Sequence, residues 1–348
     1  MSIQLVDFFP SSKPMVWYKK PQETSIKGLV QKNSNLYDIQ EFSTSGFVMC
    51  PFEYNQNGVL IPNQFADAYE IPIPDISTHL TNELDQKSDP NAYQKHVDLL
   101  QKTIEFIQEG KAQKVVISRN IILDFDFKKT ISVFEKLCFN YPDALVYLWF
   151  HPQFGLWMGA TPERLITLEH NDFTTMSLAG TQLFTENLIW REKEKQEQKL
   201  VTDYIQKQLL PYSSQLELSE TFTKKAGILA HLCTMIKGRL NPENNLSDLI
   251  NQLHPTPAVC GTPRIIAKQF ILEHEGYNRE FYTGFLGEIN HLGKSELFVN
   301  LRCMKILDNQ VQIFVGGGIT EQSNPEQEWL ETVHKSKVLG KFISNLKL

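Results

Sequence analysis

From Tyr93 to about Gln108, apolar side chains return at Val97, Leu100, Ile104 and Ile107, the spacing of one helix face, and Gly110 stands where that helix ends. Lys114-Val-Val-Ile-Ser-Arg119 is a short apolar run that reads as a buried strand. Ser132–Phe139 reads as a helix, and Leu145–Phe150 and Phe154–Met158 as neighbouring strands joined by a His-Pro-Gln turn. A turn at Thr161-Pro-Glu-Arg164 leads to strands near Leu165–Leu168 and Phe173–Leu178. Lys193 to about Leu210 predicts a long helix on which Glu194, Glu197, Val201 and Tyr204 share a face, so its acids border an apolar stripe rather than open water. Short helices are predicted near Ala230–Lys237 and Pro263–His274, and strands at Phe281–Ile289, Glu296–Lys305 and Val311–Val315. The last of these strands runs into Gly316-Gly317-Gly318. Asn324-Pro325 opens a final helix, with Asn as cap and Pro in the first turn; Glu328, Glu331 and Lys335 share one of its faces. Residues up to about Pro90 are rich in Pro, Asn, Gln and Ser, with short strand-like runs such as Gly46–Cys50 and no chemical motif. Many strands with interspersed helices, and no regular βαβ alternation, predict an α+β fold.

Composition narrows the classes. A hydrophobic content of 41% and a charged content of 21% over 348 residues are those of a globular chain. A net charge of −6 argues against nucleic acid as a partner. No apolar run approaches the ~18 residues of a membrane span, and the N-terminus lacks the basic stretch and long apolar core of a signal peptide. The five cysteines (Cys50, Cys138, Cys233, Cys260 and Cys303) are scattered and form no CxxC, as expected of buried thiols in a cytoplasmic protein.

The chemistry concentrates in two acidic pairs, Glu194/Glu197 and Glu328/Glu331, each three residues apart and so on one helix face. Four carboxylates brought together repel unless a cation neutralises them. Oxygen ligands without His or Cys suit a hard ion such as Mg²⁺. The tri-glycine beside the second pair offers backbone N–H groups to an anion. Taken singly, each element has a plainer reading: a solvated helix face with surface ion pairs, or a flexible turn. The combination points to an enzyme that holds an anionic substrate through magnesium.

In order along the chain stand Lys114-Val-Val-Ile-Ser-Arg119, Gly159-Ala-Thr-Pro-Glu-Arg-Leu165, Leu178-Ala-Gly-Thr181, Glu194 through Glu197, His254-Pro-Thr-Pro-Ala-Val259, Phe281-Tyr-Thr-Gly-Phe-Leu-Gly287, Leu301-Arg302, Gly316-Gly-Gly-Ile319 with Ser323-Asn-Pro, and Glu328-Trp-Leu-Glu-Thr332. With these segments the stretch from Tyr93 to Leu346 resembles the chorismate-utilising enzymes: isochorismate synthases, salicylate synthases, and the large subunits of anthranilate and aminodeoxychorismate synthases. The resemblance implies a single chorismate-binding domain over 1–348, with 1–90 a variable part and 91–348 the recognisable catalytic part. Its fold would be a large sandwich of two antiparallel sheets with helices outside, as in anthranilate synthase component I.

The same resemblance assigns roles. Glu197 and Glu331 would bind Mg²⁺, supported by Glu194 and Glu328, and the ion would hold the ring carboxylate of chorismate. Arg302 and the amides of Gly316, Gly317 and Gly318 would take the enolpyruvyl carboxylate. Thr181, His254, Tyr282 and Lys335 would complete the substrate pocket. Lys114 would be the base that activates water, where the amine-forming relatives usually carry Gln; no glutamine amidotransferase subunit is then expected. Glu163 would be the acid that protonates the departing C4 hydroxyl. Three positions depart from the usual pattern: Gln198 follows Glu197 where His is usual, the glycine run lacks its usual central Ala, and Cys260 replaces a common Gly. None removes a proposed ligand. The expectation is a Mg²⁺-dependent isochorismate synthase serving menaquinone synthesis. Salicylate synthase and a siderophore-pathway enzyme are the alternatives, and a catalytically silent carboxylate-binding protein is the remote one.

Overall fold

The computed structural model describes residues 5–39, 42–54, 57–75, 90–226 and 229–344. The end of the variable N-terminal part (76–89) and the tail of the resemblance at Leu346 lie outside the described residues. Two sheets organise the chain, and every neighbouring pair of strands in them is antiparallel. The nine-stranded sheet runs Gly261–Thr262, Lys114–Asp124, Gln310–Ile319, Cys303–Ile306, Gly155–Thr161, Leu145–His151, Met15–Lys19, Ser25–Gln31, Ala66–Pro72. The ten-stranded sheet runs Ser213–Leu218, Leu229–Leu240, Asp172–Leu183, Arg164–Glu169, Lys294–Val299, Phe285–His291, Gly46–Cys50, Val59–Pro62, Tyr37–Asp38, with Phe222–Ala226 also paired to Leu229–Leu240. This is the expected two-sheet α+β sandwich. The N-terminal part supplies three strands to each sheet.

Strand alternation sorts the core into layers. Val16 and Tyr18 join Phe47, Met49, Tyr147, Trp149, Leu286 and Phe298 in the layer between the sheets. Met15 and Trp17, on the other face of the same strand, pack with Val146, Leu148 and the helices Thr130–Asn140 and Pro325–Ser344. The outer face of the ten-stranded sheet is covered by the helices Glu192–Leu209 and Leu246–Leu253. Leu100, Ile104 and Ile107 of the helix Pro90–Gln108 pack on Val115 and Ile117, together with the helix Arg264–His274.

Four expectations are corrected. Leu229–Leu240 is a strand, not a helix near Ala230–Lys237. His231, Cys233 and Met235 alternate with Leu232, Thr234 and Ile236, and strands pair along both of its edges. Glu296–Lys305 is not one strand: Lys294–Val299 lies in one sheet and Cys303–Ile306 in the other. The chain crosses at Asn300–Arg302, where Arg302 takes φ 48° and the Asn300 side chain is pinned by Tyr147 Oη at 2.7 Å and by the Phe281 carbonyl at 2.8 Å. The strand expected from Phe281 begins only at Phe285, and the strand expected to stop at Val315 runs on through the glycines to Ile319.

Candidate active site

The chain crosses between the sheets at two adjacent places, and both deliver a candidate site residue to the cavity. Gly155–Thr161 and Arg164–Glu169 lie in different sheets, so Pro162-Glu163 is a crossing. The Thr161 hydroxyl donates to the Val299 carbonyl at 2.6 Å, and the Val299 N–H donates to the Glu163 carbonyl at 2.9 Å. These bonds tie this crossing to the one that carries Arg302. Glu163, Arg302, Lys114, Thr181, Tyr282, Lys335, Glu194, Glu197, Glu331 and the three glycines line one cavity. Of the expected substrate-binding residues only His254 lies outside it. Its Nε2 meets the Phe52 carbonyl at 3.1 Å, its ring packs on Phe285, and burial drives its pKa down to about 3. His254 is a neutral core residue, while Ala258 and Val259 of the same motif reach the cavity.

The glycine strand forms part of the cavity wall. Gly316, Gly317 and Gly318 stand opposite Ser118, Ile117 and Val116. The N–H of Ser118 goes to Glu275 and that of Val116 to the Cys260 carbonyl, both away from the glycines. A strand residue presents its N–H and C=O to the same side. Gly316 and Gly318 therefore turn theirs away from the lysine strand, and the Gly316 carbonyl accepts from Lys335 Nζ at 2.8 Å. Gly317 faces the ladder instead. Two of the three expected amides are thus available to an anion, and Gly317 contributes space rather than a donor. A Cβ on Gly317 would lie 3.3 Å from Glu328 Oε2 and 3.6 Å from Glu331 Oε1; one on Gly318 would lie 2.8 Å from Glu197 Oε1.

Each acid of the two pairs is met by a cation. Lys114 Nζ, on a side chain 1% exposed, lies 2.7 Å from Glu197 Oε1. Lys193 reaches across to Glu328 at 2.8 Å, where the Ser323 hydroxyl also donates at 2.6 Å, and Lys335 holds Glu331 at 2.8 Å. Glu194 is bound by Arg191 at 2.5 Å and caps its own helix by accepting from the Arg191 N–H. So engaged, the acids do not converge: among the described residues no three acidic, His or Cys side chains are grouped as metal ligands. Burial pushes the Glu197 carboxyl up, but Lys114, Lys335 and Lys193 together more than offset this, and the group lies below its ordinary value. Glu328 is raised, first by burial and then by the charge of Glu331. A cation at this place would relieve that repulsion. The all-oxygen donors packed against Gly317 and Gly318 fit a hard ion such as Mg²⁺.

Glu163 is 5% exposed, and burial raises its pKa to about 7 against the pull of Lys114, Lys224, Arg302 and Lys335. It holds its proton at the edge of neutrality, as an acid catalyst needs. His231, which the helix reading of its segment concealed, is a buried cavity residue. Its Nε2 lies 3.2 Å from Arg302 Nη2 and its Nδ1 3.1 Å from the Gly180 carbonyl. Burial, then the Arg302 charge, lower its pKa to about 3. The ring is neutral, so Nδ1–H donates to Gly180 and Nε2 accepts from Arg302. Gly180 sits at φ 69° in a register shift of its strand, and a Cβ there would lie 2.9 Å from Glu194 Cβ. The glycine of Leu178-Ala-Gly-Thr181 thus allows the acidic helix to approach and turns Thr181 into the cavity. Gln198, at the departure from the usual Glu-His, donates to Ser177 Oγ at 2.8 Å and lies against the sheet rather than the cavity.

This sheet pair, with its acid-rimmed and cation-rich cavity, defines a class. The profile of the family described as chorismate binding enzyme matches residues 63–344, and the chain belongs to that family. It is 34% identical over 245 residues to isochorismate synthase EntC of Escherichia coli (strain K12), a match covering 67% of this chain and 63% of that protein. It is 32% identical over 279 residues to isochorismate synthase MenF of the same organism, covering 76% and 63%. The matches thus span less than two thirds of these relatives' own length. The solved structure of MenF, the menaquinone-specific isochorismate synthase from Escherichia coli, superposes with a TM-score of 0.81 at 22% identity over 98% of this chain and 92% of that one. No helix among the described residues is long and apolar enough to cross a membrane.

Proposed function

We propose that this chain is an isochorismate synthase acting as one chorismate-binding unit without an amidotransferase subunit. The observation that carries the reading is the placement of Lys114 and Glu163 in a single cavity, with Arg302 and the glycine strand beside them. Lys114, released from its ion pair with Glu197 and in its neutral amine form, takes a proton from water as its oxygen adds at C2 of chorismate. The ring double bonds shift, and Glu163 gives its proton to the C4 hydroxyl, which leaves as water. The enolpyruvyl group stays on the ring. Arg302, oriented by His231, grips the enolpyruvyl carboxylate, and the outward amides of Gly316 and Gly318 add donors to it. Magnesium, when bound by Glu197 and Glu331 with Glu194 and Glu328 in support, supplies positive charge for the ring carboxylate. Menaquinone synthesis is the use we propose, on the longer of the two matches described above.

The test is incubation with chorismate and Mg²⁺ followed by separation of the products. The proposal expects isochorismate to accumulate to an equilibrium mixture with chorismate, and the same mixture to be reached from isochorismate. Pyruvate and salicylate in equal amounts, formed at the rate of chorismate loss, would make the chain a salicylate synthase instead. No turnover of chorismate would leave only a binding protein.

A further inference from the structure

Four cations act on Glu163, and three of them are engaged elsewhere. Lys114 holds Glu197, Lys335 holds Glu331 and the Gly316 carbonyl, and Arg302 meets His231. The fourth, Lys224, comes from the short strand Phe222–Ala226, directly across the ladder from His231. It is partly buried, and among the described residues it forms no ion pair. Its Nζ lies 3.4 Å from the carbonyl oxygen of Pro162 and 3.5 Å from Met176 Sδ. That carbonyl belongs to the peptide bond that carries Glu163 over from one sheet to the other. No part of the reaction described above uses Lys224, and no motif marked it.

We propose that Lys224 is a positioning residue for Glu163: it fixes the Pro162–Glu163 peptide and places a positive charge beside the carboxylate that forms when Glu163 gives up its proton. The inference rests on the reading of Glu163 as the acid. When the O–H bond of Glu163 breaks, negative charge appears on a carboxyl buried away from water, and an ammonium without a carboxylate of its own stabilises it directly. The groups that face Glu163 are Lys114 from its strand, Arg302 from the second crossing, Lys335 from the last helix and Lys224 itself. Lys224 is in turn acted on by Cys233, Arg164, Glu163 and Asp143. Burial, ahead of these, holds the Lys224 ammonium below its ordinary lysine value, so its interaction with Glu163 is little shielded by water.

The test compares Lys224→Met, Lys224→Arg and Glu163→Gln in the full chain. Glu163 works in its protonated form, so the rate falls as pH rises through its pKa, and a lost positive neighbour moves that fall to higher pH. Lys224→Met is expected to shift the alkaline limb of kcat up by about one pH unit and to lower the rate at neutral pH about tenfold, with chorismate KM nearly unchanged. Lys224→Arg is expected to restore the limb. The Glu163 carboxyl is also titrated without substrate, by infrared difference between each protein and its Glu163→Gln counterpart; its midpoint should rise in Lys224→Met whether or not that variant turns over. An unmoved midpoint and limb in Lys224→Met, or an arginine variant that behaves like the methionine one, would overturn the role of Lys224. Wild-type turnover by Glu163→Gln would instead overturn the reading of Glu163, while the infrared midpoint would still report whether Lys224 acts on it.

Discussion

Gly318→Ala tests how closely the cavity wall is fitted to Lys114, the proposed base. The added Cβ would lie 2.6 Å from Lys114 Cε and 2.8 Å from Glu197 Oε1. Both contacts must open by roughly 1 Å to become ordinary ones. The backbone is held along one side, where Gly318 is in register with Val116 and its neighbours Gly317 and Ile319 with Ile117 and Val115. The strain therefore falls on the Lys114–Glu197 pair, which must shift away from the strand and towards the cavity that both residues line. Overpacking of this kind costs roughly 1–3 kcal/mol, against about 0.5–1 kcal/mol returned by replacing glycine in a strand. Net loss of stability should be small, at most a few degrees in Tm. A displacement of about 1 Å at a catalytic group costs roughly 100-fold in rate. Turnover of chorismate should thus fall far more than thermal stability. Gly317→Ala is the control, since its Cβ would approach Glu328 Oε2 only to 3.3 Å and would not meet Lys114. Thermal unfolding and chorismate turnover on both variants decide the matter. If Gly318→Ala turned over chorismate at the wild-type rate, Lys114 would not be the base held against this strand.

Lys114→Ala is expected to reduce turnover at least ~100-fold with a much smaller change in chorismate affinity; near-normal turnover would assign the base elsewhere. Glu197→Gln and Glu331→Gln are each expected to abolish most activity and to weaken Mg²⁺ binding measured by calorimetry, and full turnover in EDTA would contradict the metal's role. His231→Leu removes the acceptor facing Arg302, so chorismate KM should rise about tenfold with kcat less affected; equal losses in kcat and kcat/KM would place His231 in the chemical step instead.

What the sequence discloses follows from how local each signal is. Long amphipathic helices are readable because their period repeats: Tyr93–Gln108 and Lys193–Leu210 agree with Pro90–Gln108 and Glu192–Leu209. The Asn324 cap is likewise a local bond, to the Gln327 N–H at 3.1 Å. Leu229–Leu240 misleads because a short, mostly apolar run has no decisive period, and along one edge it pairs with the distant Asp172–Leu183, a partner that no local signal announces. That misreading also hid His231, although its alternation with Leu232 and Cys233 was the available signal. Motif order brought most of the cavity together, but it grouped His254 with Ala258 and Val259, of which only the last two reach the cavity. Lys224 had no signal at all: its partners are a peptide carbonyl and a thioether, which no spacing rule anticipates.

The N-terminal part carries none of the proposed chemistry, yet it supplies six strands, divided evenly between the sheets. A polypeptide starting near residue 91 would keep every proposed ligand and catalytic group and lose the neighbours of Leu145–His151 and Phe285–His291. Two interior strands would become bare edges, with Trp149 and Phe285 uncovered beside them, a surface that invites edge-to-edge association. The stretch with the motifs is therefore not a detachable module. Variation in the first 75 residues should register in yield and solubility before it registers in the proposed catalysis, and shortening the chain from its N-terminal side would produce aggregates rather than a smaller folded unit.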